Sequence, residues 1–306
     1  MKKNSISVVI PTHNRPELLK RAIESVLNQT QSADEIIIVD DDSCPETRRL
    51  VEGFALPNLF YVQNNDGQGA SSSRNLGVDK ATGDYVAFLD DDDLFDSEKI
   101  KIVSECISNQ SFDVLYHSAK INMVNEGVFY YSKPKFFEDA SLFLKELVVS
   151  NIVGGTPMVV VRRDAFITSG RFDETLDALE DYEMWLRMAS NGCLFKKLDD
   201  PLTEYNYVTQ KNSVSKNIKS NLVALEKIRR KHQKLYNSLD HVAINRHYLW
   251  QQRMVVHKLL LNGKTLKSLS AQFGVFKKSL KFKDLIILFS LLLGSKFIFK
   301  MKARFG

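Results

Sequence analysis

The chain has 306 residues, 44% of them hydrophobic, and a net charge of +5 from 42 Lys and Arg against 37 Asp and Glu. This is an ordinary globular composition, with enough apolar material for one large domain with additions or for two domains. The three cysteines, Cys44, Cys106 and Cys193, are odd in number, far apart and form no C-x-x-C pair, so neither a disulfide framework nor a zinc site is indicated and a reducing compartment fits best.

The chain opens "MKKNSISVVIPTHN", with an apolar run of about five residues before Pro11 and His13. That run is too short for a signal peptide, so structure is expected to begin at once. Residues 5–10 read as a short strand. In "RPELLKRAIESVLNQ", Leu19, Ala22, Ile23, Val26 and Leu27 fall at helical spacing behind a proline suited to a first turn. "EIIIVD" (35–40) predicts a second buried strand, 45–55 a helix, "LFYV" (59–62) a strand, 70–81 a loop leading into a helix, and "DYVAFLD" (84–90) another strand. Strands that alternate with helices and are apolar throughout imply a parallel sheet covered on both faces. The fold class is α/β, Rossmann-like.

Ligands of such sheets bind outside the carboxyl ends of the strands. Three polar segments follow strands here: "PTHNRP" (11–16), "DDDSCPE" (40–46) and "DDDDLFD" (90–96). Four consecutive carboxylates, Asp90 to Asp93, repel one another unless a cation sits among them. A bound cation is therefore expected, since a merely solvated turn has no reason to repeat its acidity at a second strand end.

Further along, the pattern predicts strands near 113–122 and 128–132, a helix at 140–149, and a mostly helical chain after residue 216. From Lys211 to Gly306 there are 21 basic residues against three acids, Glu226, Asp240 and Asp284; the remainder has 21 against 34. Two parts so differently charged are expected to meet different partners. The segment 282–305 has a longest apolar stretch of nine residues with Ser290 inside it, Leu285 to Leu293, well short of the ~20 that span a bilayer. Lysines surround it, which predicts a segment lying on an anionic membrane surface.

"VVIPTHNRPELLKRAIESVLNQT", "EIIIVDDDS", "GASSSRNLGVDKATGDYVAFLDDDD" and "FDETLDALEDYEMWLRM" together resemble the family 2 glycosyltransferases of the GT-A fold. These are inverting enzymes that move a sugar from a nucleoside diphosphate to an acceptor hydroxyl. The resemblance covers roughly residues 5–210 and does not extend to 218–306. It implies a transferase domain over 1–217, with a mostly parallel central sheet, followed by a helical, basic region over 218–306. By position it places Pro11, Thr12 and Asn14 in the nucleotide pocket with Arg15 beside them, and makes Asp41 the residue that meets a uracil edge. Asp42 stands where the family usually has glycine.

The run of aspartates resembles the family's D-x-D signature, with Asp90 on the ribose, Asp92 on a Mg²⁺ or Mn²⁺ ion, and Asp93 or Asp91 supporting. Such a cation needs few protein oxygens because the diphosphate supplies others, and it acts as a Lewis acid on the departing diphosphate. Ser73, Arg74 and Asn75 are implied near the donor, Arg74 meeting phosphate or a sugar hydroxyl. An inverting transfer also needs a base for the acceptor proton. The family's E-D motif implies Asp181 in that role, with Glu180 placing the acceptor. "GGT" (154–156) is implied near the acceptor. Lys211, Ser213 and Ser215 belong either to a loop closing over the diphosphate or to a plain linker. Trp185 and Met188 read as core, Glu183 and Arg187 as a surface i,i+4 pair, and the histidines as solvated or capping.

The resulting expectation is a non-processive transferase of surface polysaccharide, using a UDP-sugar and a saccharide or lipid-linked acceptor at the cytoplasmic face of the membrane. The absence of a Q-x-x-R-W sequence argues against a processive synthase. Two other readings fare worse. A sugar-phosphate nucleotidyltransferase needs a glycine-rich loop after the first strand, and "PTHNRP" has none. A nucleic-acid-binding protein would use the basic C-terminal region, which carries no recognisable motif for it. That region serves equally for pairing two subunits.

Overall fold

In the computed structural model, which describes residues 4–42, 44–64, 67–208 and 217–305, the unbroken apolar runs at 6–12, 35–40 and 85–88 become strands buried on both faces, and the run at 59–63 a partly exposed edge strand. β1 (Ile6–Thr12), β2 (Glu35–Asp40), β3 (Leu59–Gln63) and β4 (Tyr85–Phe88) lie parallel in the order β3-β2-β1-β4, joined by α1 (Pro16–Leu27), α2 (Pro45–Gly53) and α3 (Ala70–Lys80). Side chains alternate across the sheet. Val9, Ile37, Val39, Val86 and Phe88 enter one core with Val78 of α3, while Val8, Ile10, Ile36, Ile38 and Ala87 enter the other with Leu19, Ala22, Ile23 and Val26 of α1. A strand with two covered faces has no polar side to show.

The 70–81 segment departs from expectation, because the helix begins at Ala70 itself and buries Ser71 to Asn75. α3 lies so close to β1 that a Cβ on Gly77 would stand 2.4 Å from Cγ1 of Val9. Small residues permit that approach.

Beyond β4 the sheet becomes mixed. β5 (Leu94–Phe95), α4 (Lys99–Asn109), β6 (Val114–Met123), β7 (Val128–Tyr131) and α5 (Ala140–Val149) are followed by a 3-10 turn (Thr156–Met158), β8 (Val159–Arg162), α6 (Arg163–Thr168), α7 (Glu180–Ser190) and β9 (Phe195–Tyr207). The complete order is β3-β2-β1-β4-β8-β6-β9-β5, with β7 on the side of β6. β8 runs antiparallel to β4 and β6, whereas β9 runs parallel to β6. Sequence reasoning does not find β9. Its residues, "FKKLDDPLTEYNY", are polar, and Pro201 sits where the register against β6 shifts at Ser118, the kind of irregularity at which a strand tolerates proline.

Two further expectations are corrected. Glu183 and Arg187 are not a surface pair: Glu183 is 0% exposed and accepts from Arg187 Nη2 at 2.6 Å, with His232 Nε2 at 3.0 Å on its other oxygen. His117 and His247 are buried rather than solvated, held through Nδ1 at the carbonyls of Ser118 and Val149.

The C-terminal helices are α8 (Ile218–Lys231), α9 (Gln233–Asn237), α10 (His241–Leu261), α11 (Thr265–Ser279), α12 (Phe282–Leu292) and α13 (Ser295–Phe305). Ala224, Leu225, Ile228, Tyr236 and Ala243 join the first core, and Val256, Leu260, Val275, Leu291 and Phe299 pack on Ala119, Ile121 and Met123 of β6. Among the described residues no helix is long and apolar enough to cross a membrane.

Candidate active site

The carboxyl ends of β1, β2 and β4 meet where open α/β sheets bind ligands, and they form one wall of a cavity of about 630 Å³. Among the described residues, every site residue predicted from sequence lines it except Asn14, Asn75, Asp93 and Gly154. Asn14, at φ 53°, is exposed and turns its amide to the Asp42 carboxylate. The expected closing residues Lys211, Ser213 and Ser215 lie outside the described residues.

At the end of β2, Asp41 is 7% exposed and held on three sides. Its Oδ1 accepts from Asn64 Nδ2 at 2.8 Å and Ser73 Oγ at 2.9 Å, and its Oδ2 from the Gly69 amide at 2.9 Å. Gly69, at φ 90°, precedes α3. Ala70 and Ser71 therefore bring the positive end of that helix to the cavity wall.

At the end of β4 a turn at Asp91 and Asp92 sends successive carboxylates in different directions. Asp91 is buried, accepting from Thr12 Oγ1 at 2.8 Å and from Arg15 Nη1 at 3.1 Å. The same Nη1 stands 3.2 Å from Asp92 Oδ2, on a side chain 43% exposed. Burial, followed by the charges of Asp90 and Asp91, raises the Asp92 pKa to about 6. Asp93 lies behind this wall at 1% exposure: its Oδ1 accepts from the Asn206 amide at 2.8 Å and its Oδ2 has no partner. Burial, then its acidic neighbours, pushes its pKa well up.

Arg74 of α3 crosses the cavity floor. Its Nη2 stands 2.5 Å from Asp90 Oδ1 and its Nη1 3.1 Å from Glu180 Oε1, so one buried guanidinium ties the end of β4 to the start of α7. α7 is entered through Leu179 at φ 60°, a left-handed backbone that costs a non-glycine residue about 1 kcal/mol. Asp181 follows in the first turn, and a Cβ built on Gly155 would lie 3.8 Å from its Oδ2. Burial, then the charge of Glu180, raises the Asp181 pKa to about 7. Asn75 does not reach the cavity; it bonds the Phe172 backbone and Glu174. Trp185 and Met188 are core residues, each 0% exposed.

The opposite wall is what the sequence does not disclose: Ile121 of β6, Met158 of the 3-10 turn, Tyr205 and Tyr207 of β9, Asn221 of α8 and Lys258 of α10. Most come from segments without a recognisable motif. Burial lowers the Lys258 pKa to about 8, against the opposing pull of Asp181. Behind this wall, fully buried Lys99 donates to the Pro157 carbonyl at 2.8 Å and Thr203 Oγ1 at 3.1 Å, fastening α4 to the 3-10 turn and β9.

Among the described residues no three carboxylate, histidine or thiol groups converge as a ready-made metal cage. Asp91 and Asp92, crowded together at the cavity with raised pKa values, still suit a hard cation whose remaining ligands come from phosphate, while Asp93 does not reach that space. A cavity at the strand ends with an acidic, helix-capped wall and, facing it, a carboxylate whose pKa is raised to about 7 is in keeping with a glycosyltransferase of the GT-A fold. The chain belongs to glycosyl transferase family 2, whose sequence pattern it matches over residues 7–168. It is 32% identical to an uncharacterized glycosyltransferase of Haemophilus influenzae over 97% of this chain and 98% of that one. It is 29% identical to the amylovoran biosynthesis glycosyltransferase AmsB of Erwinia amylovora over 71% and 74%. The fold is shared with the mannosyltransferase PcManGT of Pyrobaculum calidifontis, in complex with GDP-Man and Mn²⁺, at a TM-score of 0.61, 13% identity and coverage of 100% of this chain and 88% of that one. It is shared likewise with S. aureus TarS 1-349 in complex with UDP-GlcNAc, at 0.59, 18% identity, 90% and 81%. The chain spans 50% of the longer S. aureus TarS chain.

Proposed function

We propose that the protein is an inverting, cation-dependent transferase that moves one sugar per binding event from a UDP-sugar to a hydroxyl of a saccharide or lipid-linked saccharide during surface-polysaccharide assembly. The observation that carries this reading is the opening of Asp41, Asp90, Asp92 and Asp181 onto one cavity, with Arg74 holding its two sides together. The family, the UDP-GlcNAc complex of TarS and the biosynthetic role in AmsB's name support it.

In this reading Asp41, fixed by three donors, meets the base, with Pro11 and Thr12 beside it; Asp90 meets the ribose. The start of α3 and Arg15 face the diphosphate. Asp92, with Asp91 in support, holds Mg²⁺ or Mn²⁺, which supplies positive charge to the departing diphosphate. Glu180 orients the acceptor. Asp181 takes the hydroxyl proton as the acceptor oxygen bonds to the anomeric carbon and the bond from that carbon to the diphosphate oxygen breaks. Donor chemistry is assigned to residues 1–217, and 218–306 to placing the protein and its acceptor.

Calorimetric titration with UDP, with and without Mn²⁺, tests this. Cation-dependent binding should strengthen as pH rises through about 6, where Asp92 ionises, and Asp92→Ala should abolish it. If UDP fails to bind and GDP binds, the base assignment falls; if no nucleotide binds, the donor site falls.

A further inference from the structure

α12 is amphipathic with its apolar side turned outward. Phe282 (74% exposed), Ile286 (40%), Phe289 (60%) and Leu293 (65%), the last just past its end, recur at helical spacing on one face, with Leu292 (63%) beside them. Leu280, at the corner before α12, holds a left-handed backbone at φ 52° with its side chain 77% exposed.

Two polar residues of α12, Asp284 and Ser290, point the other way. Asp284 is 1% exposed and accepts from Arg253 Nε at 3.0 Å and from Ser279 Oγ at 2.6 Å. From His241 to Gly306 it is the only acid against 13 Lys and Arg. With that carboxylate turned inward, Lys277, Lys278, Lys281, Lys283 and Lys296 are exposed on a surface that offers them no carboxylate from this region.

We propose that this face is a docking surface for an anionic lipid bilayer, with the stripe of α12 sunk to the acyl boundary and the lysines at the headgroups. An apolar stripe ringed by cations matches a charged interface that is oily beneath. A nucleic-acid duplex answers the lysines but gives Phe282, Phe289 and Leu293 nothing to enter. A second copy would set one cationic surface against another. The third core fixes α10 to α13 on Ile121 and Met158, two residues that also line the cavity, so docking would set the acceptor wall at a constant place relative to the membrane. The proposal stands independently of the donor assignment.

The test is co-sedimentation of the full chain with vesicles of phosphatidylcholine alone and of phosphatidylcholine with phosphatidylglycerol. Wild type should bind only the anionic vesicles. The combined variant Phe282→Ser, Phe289→Ser, Leu293→Ser should bind at least about a hundredfold more weakly, given the apolar area lost. Lys281→Glu with Lys283→Glu, and added salt, should each weaken binding. Because the substituted residues are exposed, UDP affinity and melting temperature should match wild type in every variant. The proposal is overturned if wild type ignores anionic vesicles, if the serine variant binds them equally, or if duplex DNA displaces wild type from them. It is also overturned if the serine substitutions convert a dimer to a monomer by light scattering while vesicle binding stays unchanged.

Discussion

In its proposed role as base, Asp181 relies on being badly placed for a charge. Burial and Glu180 raise its pKa from 3.8 to about 7, so kcat/KM should fall about tenfold per pH unit below that value. Asp181→Asn should lower kcat by at least about a hundredfold. The same shift sets a sign for stability. The native carboxyl holds its proton to higher pH than the unfolded one, so wild-type stability declines as pH rises from about 4 to about 7. Asn removes that penalty, and the variant should melt higher than wild type above neutral pH and alike near pH 3.8. A melting advantage independent of pH would show that ionisation is not its source. Asp181 was legible in sequence through its motif, but its pKa was not, because that depends on what burial the fold imposes. Similarly, four identical aspartates give no register by themselves; the turn after β4 decides that Asp92 reaches the cavity while Asp93 goes behind it.

At the scale of elements, α7 must carry Asp181 rigidly, and the Glu183 cluster anchors it. Glu183 binds Arg187 of its own helix and Lys231 and His232 at the end of α8. Burial works against its charge, yet hydrogen bonds from His232 and Arg187 outweigh it and leave the pKa at about 2. Arg187→Met, which leaves the buried Oε2 without its partner while Lys231 and His232 stay on Oε1, should cost about 2 kcal/mol. Since the folded pKa is depressed, the stability lent by Glu183 should be present above 4.5 and lost as pH falls toward about 2; urea melts across that range check both. The i,i+4 spacing was visible in sequence, but burial was not, because it is imposed by α8, which is distant in the chain. β1, β2 and β4 were legible for the opposite reason. Their two-sided burial writes itself as continuous apolar residues, whereas β9 has intermediate burial and a proline, leaving neither an alternating nor a continuous pattern.

Across the whole molecule, the acidic and basic parts of the chain meet inside the cavity. The aspartate-bearing wall comes from the acidic first 210 residues, while Lys258 arrives from the basic remainder and lines the same space as Asp181. Sequence reasoning had no access to that meeting, since nothing in "RMVVHKLLL" distinguishes Lys258 from a surface lysine. Its pKa of about 8 keeps it largely cationic where Asp181 ionises, near 7. A nearby cation favours the carboxylate, so removing it must raise the Asp181 pKa. Lys258→Met should therefore move the acid limb of the kcat/KM profile upward by roughly half a unit, with the larger rate loss below pH 7 and the smaller above pH 8, where wild-type Lys258 is itself losing its charge. Lys258→Arg should restore the limb. A variant that loses rate equally at every pH would instead assign Lys258 to packing of the acceptor wall, with no electrostatic reach to the base.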